Sequence, residues 1–339
     1  MRVLLIGGNG FIGRFLTAEL ERAGHEVYVF HRPRTHAVAA AREIFGDRRR
    51  LRESASRLRA LAPDVVVDLI LSSGRQATEL IDVFRGATSR VVALSSCDVY
   101  RACGVFHGSE PGPLEPLPLA ESSPLRSALH LYPPETIQML QQVFGWLDDE
   151  YDKIPVEREV LGDRELPGTV VRLPKVYGPG DPLHRFGVLV KRMDDRRPAI
   201  LFEKKIAAWR SPRGYVENVA AAIALAATSA GASGRIFNVG EVETFSELDW
   251  ARQVASAARW YGAFVTLPAD RTPAHLRLPG NADQHWVVDT TRIRQELGYR
   301  EPIAPADAIQ RSVEWERANP AAADPRAFDY AAEDAAISA

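Results

Sequence analysis

The strongest constraint in this sequence is a glycine-rich loop that follows a short apolar run near its beginning. Residues 3–6 are Val, Leu, Leu and Ile, a run that fits a strand buried on both faces of a parallel sheet. Residues 7–13 then read Gly-Gly-Asn-Gly-Phe-Ile-Gly, and helical spacing of apolar residues begins at Phe11. Glycines between a strand and a helix allow close approach to a pyrophosphate, which then meets the positive end of the helix. We therefore predict a dinucleotide site at Gly7, Gly10, Phe11, Ile12 and Gly13.

Strand-like and helix-like segments alternate over the first half of the chain. A helix is predicted at residues 11–23, and further strands at residues 26–30, 64–71, 90–95 and 169–173. Alternation of this kind predicts a parallel sheet with right-handed crossover connections. We expect an α/β protein with a Rossmann-type doubly wound parallel sheet in residues 1–175. Residues 176–330 are expected to form a smaller C-terminal α/β substrate lobe, with some segments returning to the first domain.

A proline-rich stretch interrupts this pattern. Seven prolines fall within residues 104–134, so we predict an irregular excursion from the first domain there. A helical pattern resumes near Glu135 and is predicted to continue to about Leu161, with Pro155 as a place where the helix could kink.

Composition excludes several classes of protein. The 42 Lys and Arg residues nearly balance the 44 Asp and Glu residues, so no global basic field favours nucleic acid, and we consider that partner unlikely. Two cysteines and the absence of an H-E-x-x-H spacing predict no metal site. No apolar stretch approaches the roughly 18 residues of a membrane span. We expect a soluble, cytoplasmic protein with a small-molecule substrate.

Arginines near the second predicted strand bear on cofactor choice. A carboxylate usually binds the adenosine ribose there, but this stretch reads Phe-His-Arg-Pro-Arg. Arg32 and Arg34 would suit a 2′-phosphate through forked hydrogen bonds, so NADP is favoured over NAD. A second group follows, which we interpret as an exposed helix face rather than a nucleic-acid surface: Arg48, Arg49, Arg50, Arg52, Arg57 and Arg59.

Several further motifs occur in a fixed order. They are Gly46-Asp47-Arg48, Ser95-Ser96-Cys97-Asp98-Val99-Tyr100, the run V-R-L-P-K-V-Y-G-P-G-D at 171–181, and Y-V-E-N-V-A at 215–220. In this order they resemble the extended short-chain dehydrogenase/reductase superfamily, in its NAD-dependent epimerase/dehydratase group. The resemblance implies that Asp47 contacts the adenine, that Leu69 and Val176 contact the cofactor, and that Ser96 binds the reacting oxygen. Members often dimerise through two helices, so a homodimer is one arrangement that the resemblance implies.

The same resemblance identifies Lys153 as the lysine that holds the nicotinamide ribose. In the family a tyrosine lies four residues earlier on the same helix face and transfers the substrate proton. Here that position is Asp149, whereas Tyr151 lies about 200° from Lys153 around an ideal helix. Three alternatives stay open: Asp149 replaces the tyrosine, Tyr151 reaches the site through a distortion at Pro155, or the redox step is lost.

Other site residues also depart from the family pattern. Cys97 and Asp98 stand where dehydratases carry an Asp-Glu pair, which argues against a standard 4,6-dehydratase but leaves Asp98 as an acid or base. Lys175 replaces an asparagine of the nucleotide-sugar enzymes and could meet an anionic substrate group. Arg210 and Arg213 are similar to arginines that clamp a substrate pyrophosphate.

These features predict an NADP-dependent oxidoreductase or epimerase acting on a small oxygenated, sugar-like or nucleotide-sugar-like substrate. The alternative is a non-catalytic protein on the same scaffold that senses a cofactor or binds RNA. The missing tyrosine and the arginines at 48–59 favour that alternative, whereas the near-zero net charge, Lys153 and Ser96 argue against it.

Overall fold

The computed structural model describes residues 1–33, 42–278, 280–322 and 324–338. The strands within these ranges are β1 (Arg2–Ile6), β2 (Glu26–His31), β3 (Arg42–Phe45), β4 (Val65–Asp68), β5 (Arg90–Ser96), β6 (Gly168–Leu173), β7 (Lys175–Tyr177), β8 (Ala199–Glu203), β9 (Arg213–Tyr215), β10 (Ile236–Asn238) and β11 (Ala263–Leu267). The α-helices are α1 (Phe11–Arg22), α2 (Ala55–Ala60), α3 (Gly74–Phe84), α4 (Arg101–His107), α5 (Pro134–Val143), α6 (Lys153–Gly162), α7 (Gly187–Asp194), α8 (Lys204–Ala208), α9 (Val216–Thr228), α10 (Glu247–Ala258), α11 (Thr291–Leu297), α12 (Pro305–Ala318) and α13 (Tyr330–Ser338). Short 3₁₀ helices span Arg48–Ser54, Cys97–Val99, Ala230–Ala232, Ala274–Leu276 and Pro325–Ala327.

A seven-stranded sheet, in the order β10-β6-β5-β4-β1-β2-β3, forms the centre of the molecule. Every strand pairs in parallel with its neighbours. The chain runs from β1 outward through β2 to β3 and then returns to β4 on the other side of β1. The carboxyl ends of β1 and β4 therefore flank the point where the strand order reverses, which is where such sheets bind ligands. The predicted Rossmann-type fold is confirmed.

Helices cover both faces of this sheet. Along β1, Val3 and Leu5 pack into a core with α1 and α9, whereas Leu4 and Ile6 pack into a second core with α3 and α6. All four side chains are fully buried, which explains the unbroken apolar run. Burying a side chain of this size stabilises the fold by about 1.5–3 kcal/mol.

The later part of the chain contributes two small parallel sheets and one strand of the large sheet. Strands β8 and β11 pair with each other, as do β7 and β9, while β10 pairs with β6 at the edge of the large sheet. The proline-rich excursion contains the end of α4 and then an irregular segment that bridges at Leu119 to Val288. The domain limits at residues 175 and 330 stay predictions.

The predicted helix from Glu135 to Leu161 is wrong, because two helices separated by an irregular segment occupy this stretch. Helix α5 ends at Val143, and α6 begins at Lys153. Asp152 marks the start of α6, since its Oδ1 accepts the amide of Ile154 at 2.9 Å. Pro155 lies in the first turn of α6, where a missing amide proton costs no helical hydrogen bond.

Candidate active site

The glycine loop has the geometry that close approach of a phosphate requires. Gly7 adopts a φ of +81°, a left-handed conformation that favours glycine. A Cβ atom on Gly13 would lie 2.5 Å from the backbone oxygen of Gly8, so only glycine lets α1 pack this closely on the loop. Gly10 is the N-cap of α1 and makes no side-chain cap, so no capping side chain competes with an anion for the first amides of the helix. These residues fit a dinucleotide pyrophosphate.

The residues predicted for the adenosine end lie beside the carboxyl end of β2. Arg32 follows β2 directly and is exposed, whereas Arg34 lies outside the described residues. Asp47 is the N-cap of the 3₁₀ helix Arg48–Ser54, and its carboxylate accepts the amide of Arg49 at 2.9 Å. That bond fixes the position of Asp47 and uses one of its carboxylate oxygens.

The prediction that the arginines at 48–59 form an exposed face is wrong for Arg48. Its side chain is buried and donates to the carboxylates of Asp68 at 2.7 Å and Glu79 at 3.0 Å. A buried carboxylate at the end of β4 and a half-buried one on α3 thus hold this guanidinium. Arg52 is exposed, as predicted, and pairs with Asp82.

A cavity of about 350 Å³ extends from the glycine loop along the carboxyl ends of the strands. Its walls come from the start of α1, from the carboxyl ends of β4, β5 and β6, from the segment between α5 and α6, and from the proline-rich excursion. It is lined by Phe11, Ile12, Leu69, Leu94, Ser95, Ser96, Cys97, Asp98, Tyr132, Leu140, Phe144, Trp146, Leu147, Tyr151, Lys153, Leu173, Pro174, Lys175, Val176, Pro182, Arg185, Pro212 and Trp286. Predicted cofactor, catalytic and substrate residues therefore share one cavity.

Lys153 lies buried in the wall of this cavity. Its ammonium group donates to the carbonyl oxygens of Leu71 and Leu94, the latter at 3.0 Å. The rings of Tyr151 and Trp146 lie 5.6 Å and 6.0 Å from the same nitrogen. Burial lowers the pKa of Lys153 to about 8, partly opposed by nearby carboxylates.

The structure separates the two candidates for proton transfer. Asp149 is exposed in the segment before α6, where its carboxylate accepts the side-chain amide of Gln141 at 2.7 Å. Tyr151 lines the cavity beside Lys153. The argument from helix spacing fails because neither residue belongs to the helix that Lys153 begins. Tyr151, and not Asp149, is brought together with Lys153.

Asp98 lies in the same cavity and is almost fully buried. Its Oδ2 lies 3.2 Å from the hydroxyl of Tyr132 and 3.5 Å from that of Tyr151, both of which can donate to it. Its Oδ1 is buried with no hydrogen-bond partner among the described residues. Burial raises the pKa of Asp98, and Arg126 and Lys153 oppose that rise.

Ser96 lies at the carboxyl end of β5, with its side chain partly exposed in the cavity. Its Oγ accepts the amide of Asp98 at 3.2 Å and so caps the 3₁₀ helix Cys97–Val99. A hydroxyl that accepts one hydrogen bond can still donate its own proton. The capping interaction therefore leaves Ser96 able to donate to an oxygen in the cavity.

Sequence reasoning missed Arg126 and did not include Tyr132 among the site residues. Arg126 donates to the carbonyl of Asp98 at 2.6 Å and to the carboxylate of Asp152 at 3.2 Å, and both of these ion-pair side chains are buried. It thus ties the Asp98 turn to the start of α6. Both residues come from the proline-rich excursion, whose irregular path carries no periodic signal. Only their polar character among prolines could have indicated a role.

Of the predicted substrate residues, Lys175 lines the cavity, whereas Arg210 and Arg213 are not among its lining residues. Lys175 also lines a neighbouring cavity of about 340 Å³, and its ammonium lies 4.5 Å from the Trp209 ring and 4.0 Å from Glu247. Although 37% of its side chain is exposed, the surrounding protein lowers the pKa of Lys175 to about 8. Arg213 donates to Glu247 at 2.6 Å, whereas Arg210 is exposed.

Among the described residues, no cluster of three or more His, Cys, Asp or Glu side chains could hold a metal ion. Within the same ranges, no helix is long and apolar enough to span a membrane.

Comparison with known sequences gives a match over most of the chain. A family model described as the NAD dependent epimerase/dehydratase family matches residues 3–240. A dTDP-glucose 4,6-dehydratase of Streptomyces niveus is 32% identical over 89 residues. That match spans 26% of this chain and 24% of the dehydratase, so the two align over only a quarter of their lengths.

Solved structures with the same fold cover nearly the whole chain. A UDP-glucose 4-epimerase from Thermotoga maritima, with UDP-glucose, is 19% identical, with a TM-score of 0.63 over 94% of this chain and 99% of that one. A dTDP-glucose 4,6-dehydratase from Bacillus anthracis, in complex with NAD, is 14% identical, with a TM-score of 0.66 over 94% and 97%. MoeE5 in complex with UDP-glucuronic acid and NAD is 20% identical, with a TM-score of 0.65 over 94% and 99%. At these identities the likeness shows a shared fold.

Proposed function

Because the chain belongs to the NAD dependent epimerase/dehydratase family, we propose that it is an enzyme using NADP or NAD to oxidise or epimerise an oxygenated small molecule. The observation that carries this proposal is the single cavity that joins the start of α1 to Ser96, Tyr151 and Lys153. A dinucleotide with its pyrophosphate at the glycine loop would extend along the carboxyl ends of the strands toward these groups.

The proposed chemistry takes place at a substrate oxygen near Ser96. The nicotinamide, when bound, supplies hydride transfer. Ser96 donates a hydrogen bond to the reacting oxygen, a role worth about 10²–10³ in rate where such donors have been removed. Tyr151 transfers the proton of that oxygen. The Lys153 ammonium donates two hydrogen bonds, to the carbonyl oxygens of Leu71 and Leu94, and its third N–H binds the ribose. Asp149, which is exposed, takes no part.

The substrate is proposed to carry an anionic group. Lys175 lies where the two cavities meet, and its nearest carboxylate, Glu247, already accepts hydrogen bonds from Arg213 and Ser211. An anion beside Lys175 would therefore find an ammonium whose charge is only partly balanced. UDP-glucose and UDP-glucuronic acid, present in the similar structures, are of this kind.

A turnover assay with matched variants tests the proposal. The protein is incubated with NADP or NAD and with UDP-glucose, UDP-glucuronic acid or dTDP-glucose, and products are followed by NMR. We expect conversion of one of these compounds by the wild type and by Asp149→Asn, and a loss of about 10²-fold or more in Ser96→Ala. Lys153→Ala should weaken dinucleotide binding. If Asp149→Asn lost as much activity as Ser96→Ala, that result would contradict the assignment of proton transfer to Tyr151.

An inactive wild type that still binds dinucleotide would favour the alternative of a cofactor-sensing protein. The displacement of the tyrosine from its usual place relative to Lys153 is the observation behind this alternative.

A further inference from the structure

We propose that the Asp98 carboxylate is the proton acceptor of this site, and that Tyr132 and Tyr151 are the two phenols that hydrogen-bond to it. Tyr151 then passes a proton on to Asp98 instead of acting as a phenolate. This inference rests on the proposed function, and it adds Tyr132 as a positioning residue.

The geometry around Asp98 supports this assignment first. The hydroxyls of Tyr132 and Tyr151 converge on one oxygen, Oδ2, and their ring centroids are 6.1 Å apart. The other oxygen, Oδ1, is buried in the cavity wall with no partner among the described residues. An unpaired buried carboxylate oxygen is costly, and it is rare in folded proteins unless a proton, water or ligand satisfies it. Oδ2 is therefore the oxygen to which two phenols can deliver a proton, while no donor among the described residues compensates the charge at Oδ1.

The charges facing Asp98 leave its proton affinity high. Burial raises its pKa, and the nearby carboxylate of Asp152 acts in the same direction. Arg126 and Lys153 lower it, but Arg126 donates its hydrogen bonds to the carbonyl oxygens of Asp98 and Ala128 and to the carboxylate of Asp152. The titratable and charged groups that face Asp98 are Arg126, Tyr132, Tyr151, Asp152, Lys153, Cys97 and Cys103.

The same surroundings disfavour a phenolate at Tyr151. If the tyrosine lay four residues before the lysine, on the same helix face, the lysine ammonium would stabilise its phenolate form. Here Tyr151 precedes α6 and faces a carboxylate, so burial and the charge of Asp98 raise its pKa well above the ordinary value. Tyr132 faces the same carboxylate, and its pKa is raised for the same two reasons. Both residues are therefore phenols at neutral pH.

The proton step follows from these positions. As the carbon–oxygen bond of the substrate becomes a carbonyl, its hydroxyl proton moves to Oη of Tyr151. The O–H bond of Tyr151 breaks in the same step, and its proton moves to Oδ2 of Asp98. The phenol is regenerated, the carboxylate becomes a carboxylic acid, and reduction of the carbonyl reverses both transfers. A nicotinamide, when bound, would supply the acceptor for the hydride of the substrate C–H bond.

Two titrations of the full chain without substrate test this arrangement. Ultraviolet absorbance of tyrosinate should show neither Tyr132 nor Tyr151 ionising near neutral pH, because burial and the facing Asp98 carboxylate raise the pKa of both phenols. Infrared spectroscopy should show a carboxylic acid band whose midpoint lies above the ordinary aspartate pKa of about 3.9. That band should be absent in Asp98→Asn. Tyr132→Phe should raise the midpoint, because the lost hydrogen bond stabilises the carboxylate.

An exposed tyrosine provides the control for these titrations. Tyr261→Phe, at a tyrosine that is 91% exposed, is the control and should leave the carboxyl midpoint unchanged. A tyrosinate signal near neutral pH that disappears in Tyr151→Phe would overturn the proposal, as would a midpoint that Tyr132→Phe does not move. If Asp98→Asn fails to fold, Tyr132→Phe and Tyr151→Phe still test the proposal. If the turnover assay shows no activity, these titrations can still be interpreted. The proposed enzyme function and the role of Asp98 are therefore tested independently.

Discussion

Gly13 lies where α1 comes closest to the glycine loop, and its missing side chain is a packing requirement. In Gly13→Ala the new methyl group would meet the backbone of Gly8 at 2.5 Å, which neither segment can avoid without moving. We expect a loss of about 1–3 kcal/mol in the free energy of unfolding, together with weaker dinucleotide binding. Urea denaturation and a dinucleotide titration measure the two effects.

Gly162, at the end of α6, is the matched control for that substitution. A Cβ atom there would meet nothing within 4 Å. Gly162→Ala should leave stability unchanged or raise it by up to about 1 kcal/mol, because alanine favours the helix. Equal destabilisation by both substitutions would refute the packing argument for Gly13.

The buried ammonium of Lys153 should make stability depend on pH. Its folded pKa is about 8, whereas the unfolded chain has an ordinary lysine pKa of about 10.4. Between these values the unfolded chain binds more protons at this residue, so the free energy of unfolding rises with pH. Relative to Lys153→Met, the wild type should gain roughly 2–4 kcal/mol over this range.

Urea denaturation of both proteins at several pH values measures this difference. Lys204→Met replaces an exposed lysine, so its difference from the wild type should stay constant across the same range. If the difference in the free energy of unfolding between the wild type and Lys153→Met also stayed constant with pH, Lys153 would have to be solvated.

Several predicted site residues that belong to local sequence motifs line the same cavity. Ser96, Asp98, Lys153 and Lys175 all line the cavity, and each lies within a motif that follows a strand or begins a helix. Tyr132 reaches Asp98 from 34 residues along the chain. Such a contact depends on the path of an irregular segment, which propensity and periodicity do not encode.

The break between α5 and α6 is the element on which the site geometry most depends. Asp152 caps α6 and forms a buried ion pair with Arg126, so it holds the proline-rich excursion against the start of that helix. Asp152→Ala should cost about 3–5 kcal/mol, since it leaves the arginine buried without its partner. Urea denaturation checks this value.

Ser246 provides a comparison at another helix start. Its Oγ caps α10 by accepting the amide of Asp249 at 3.1 Å, and no buried ion pair depends on it in the described structure. Ser246→Ala should cost about 1 kcal/mol. A cost for Asp152→Ala no greater than this would contradict the role given to the ion pair.

Most elements that line the site were predictable, and the two errors have physical causes. Strands β1, β2, β4, β5 and β6 each contain two to four buried apolar side chains, so their patterns were clear. Strand β3 was missed because its four residues, at the sheet edge, include charged side chains and none is fully buried. The pattern at 135–161 looked continuous because the turn at 144–152 contains apolar residues that cover the cavity, including Phe144 and Trp146.

At the scale of the whole molecule, charge argues against RNA binding. The near-zero net charge gives no long-range attraction, and arginines of the 48–59 group are engaged within the protein. Arg57 donates to the carbonyl of Phe45, and Arg59 to that of Val83. We expect no retention of RNA in a filter-binding assay at low salt, and retention that falls with salt would contradict this expectation.

The overall fold was predictable because local and global signals agree. Alternating strands and helices dictate a parallel sheet, and the glycine loop marks β1 as the strand beside its switch point. The small sheets of β7 with β9 and β8 with β11 could not be paired from sequence, since each joins short strands far apart in the chain.

Titration with NADPH and NADH shows whether the glycine loop and Lys153 hold a nicotinamide dinucleotide. Trp146 lines the cavity, so bound dinucleotide should quench tryptophan fluorescence, and Trp146→Phe should remove much of that signal. We predict that both dinucleotides bind and that Lys153→Ala weakens them. A contact from Arg32 to the 2′-phosphate should make NADPH bind about tenfold tighter, a difference of about 1.4 kcal/mol. Binding of neither dinucleotide would contradict the account.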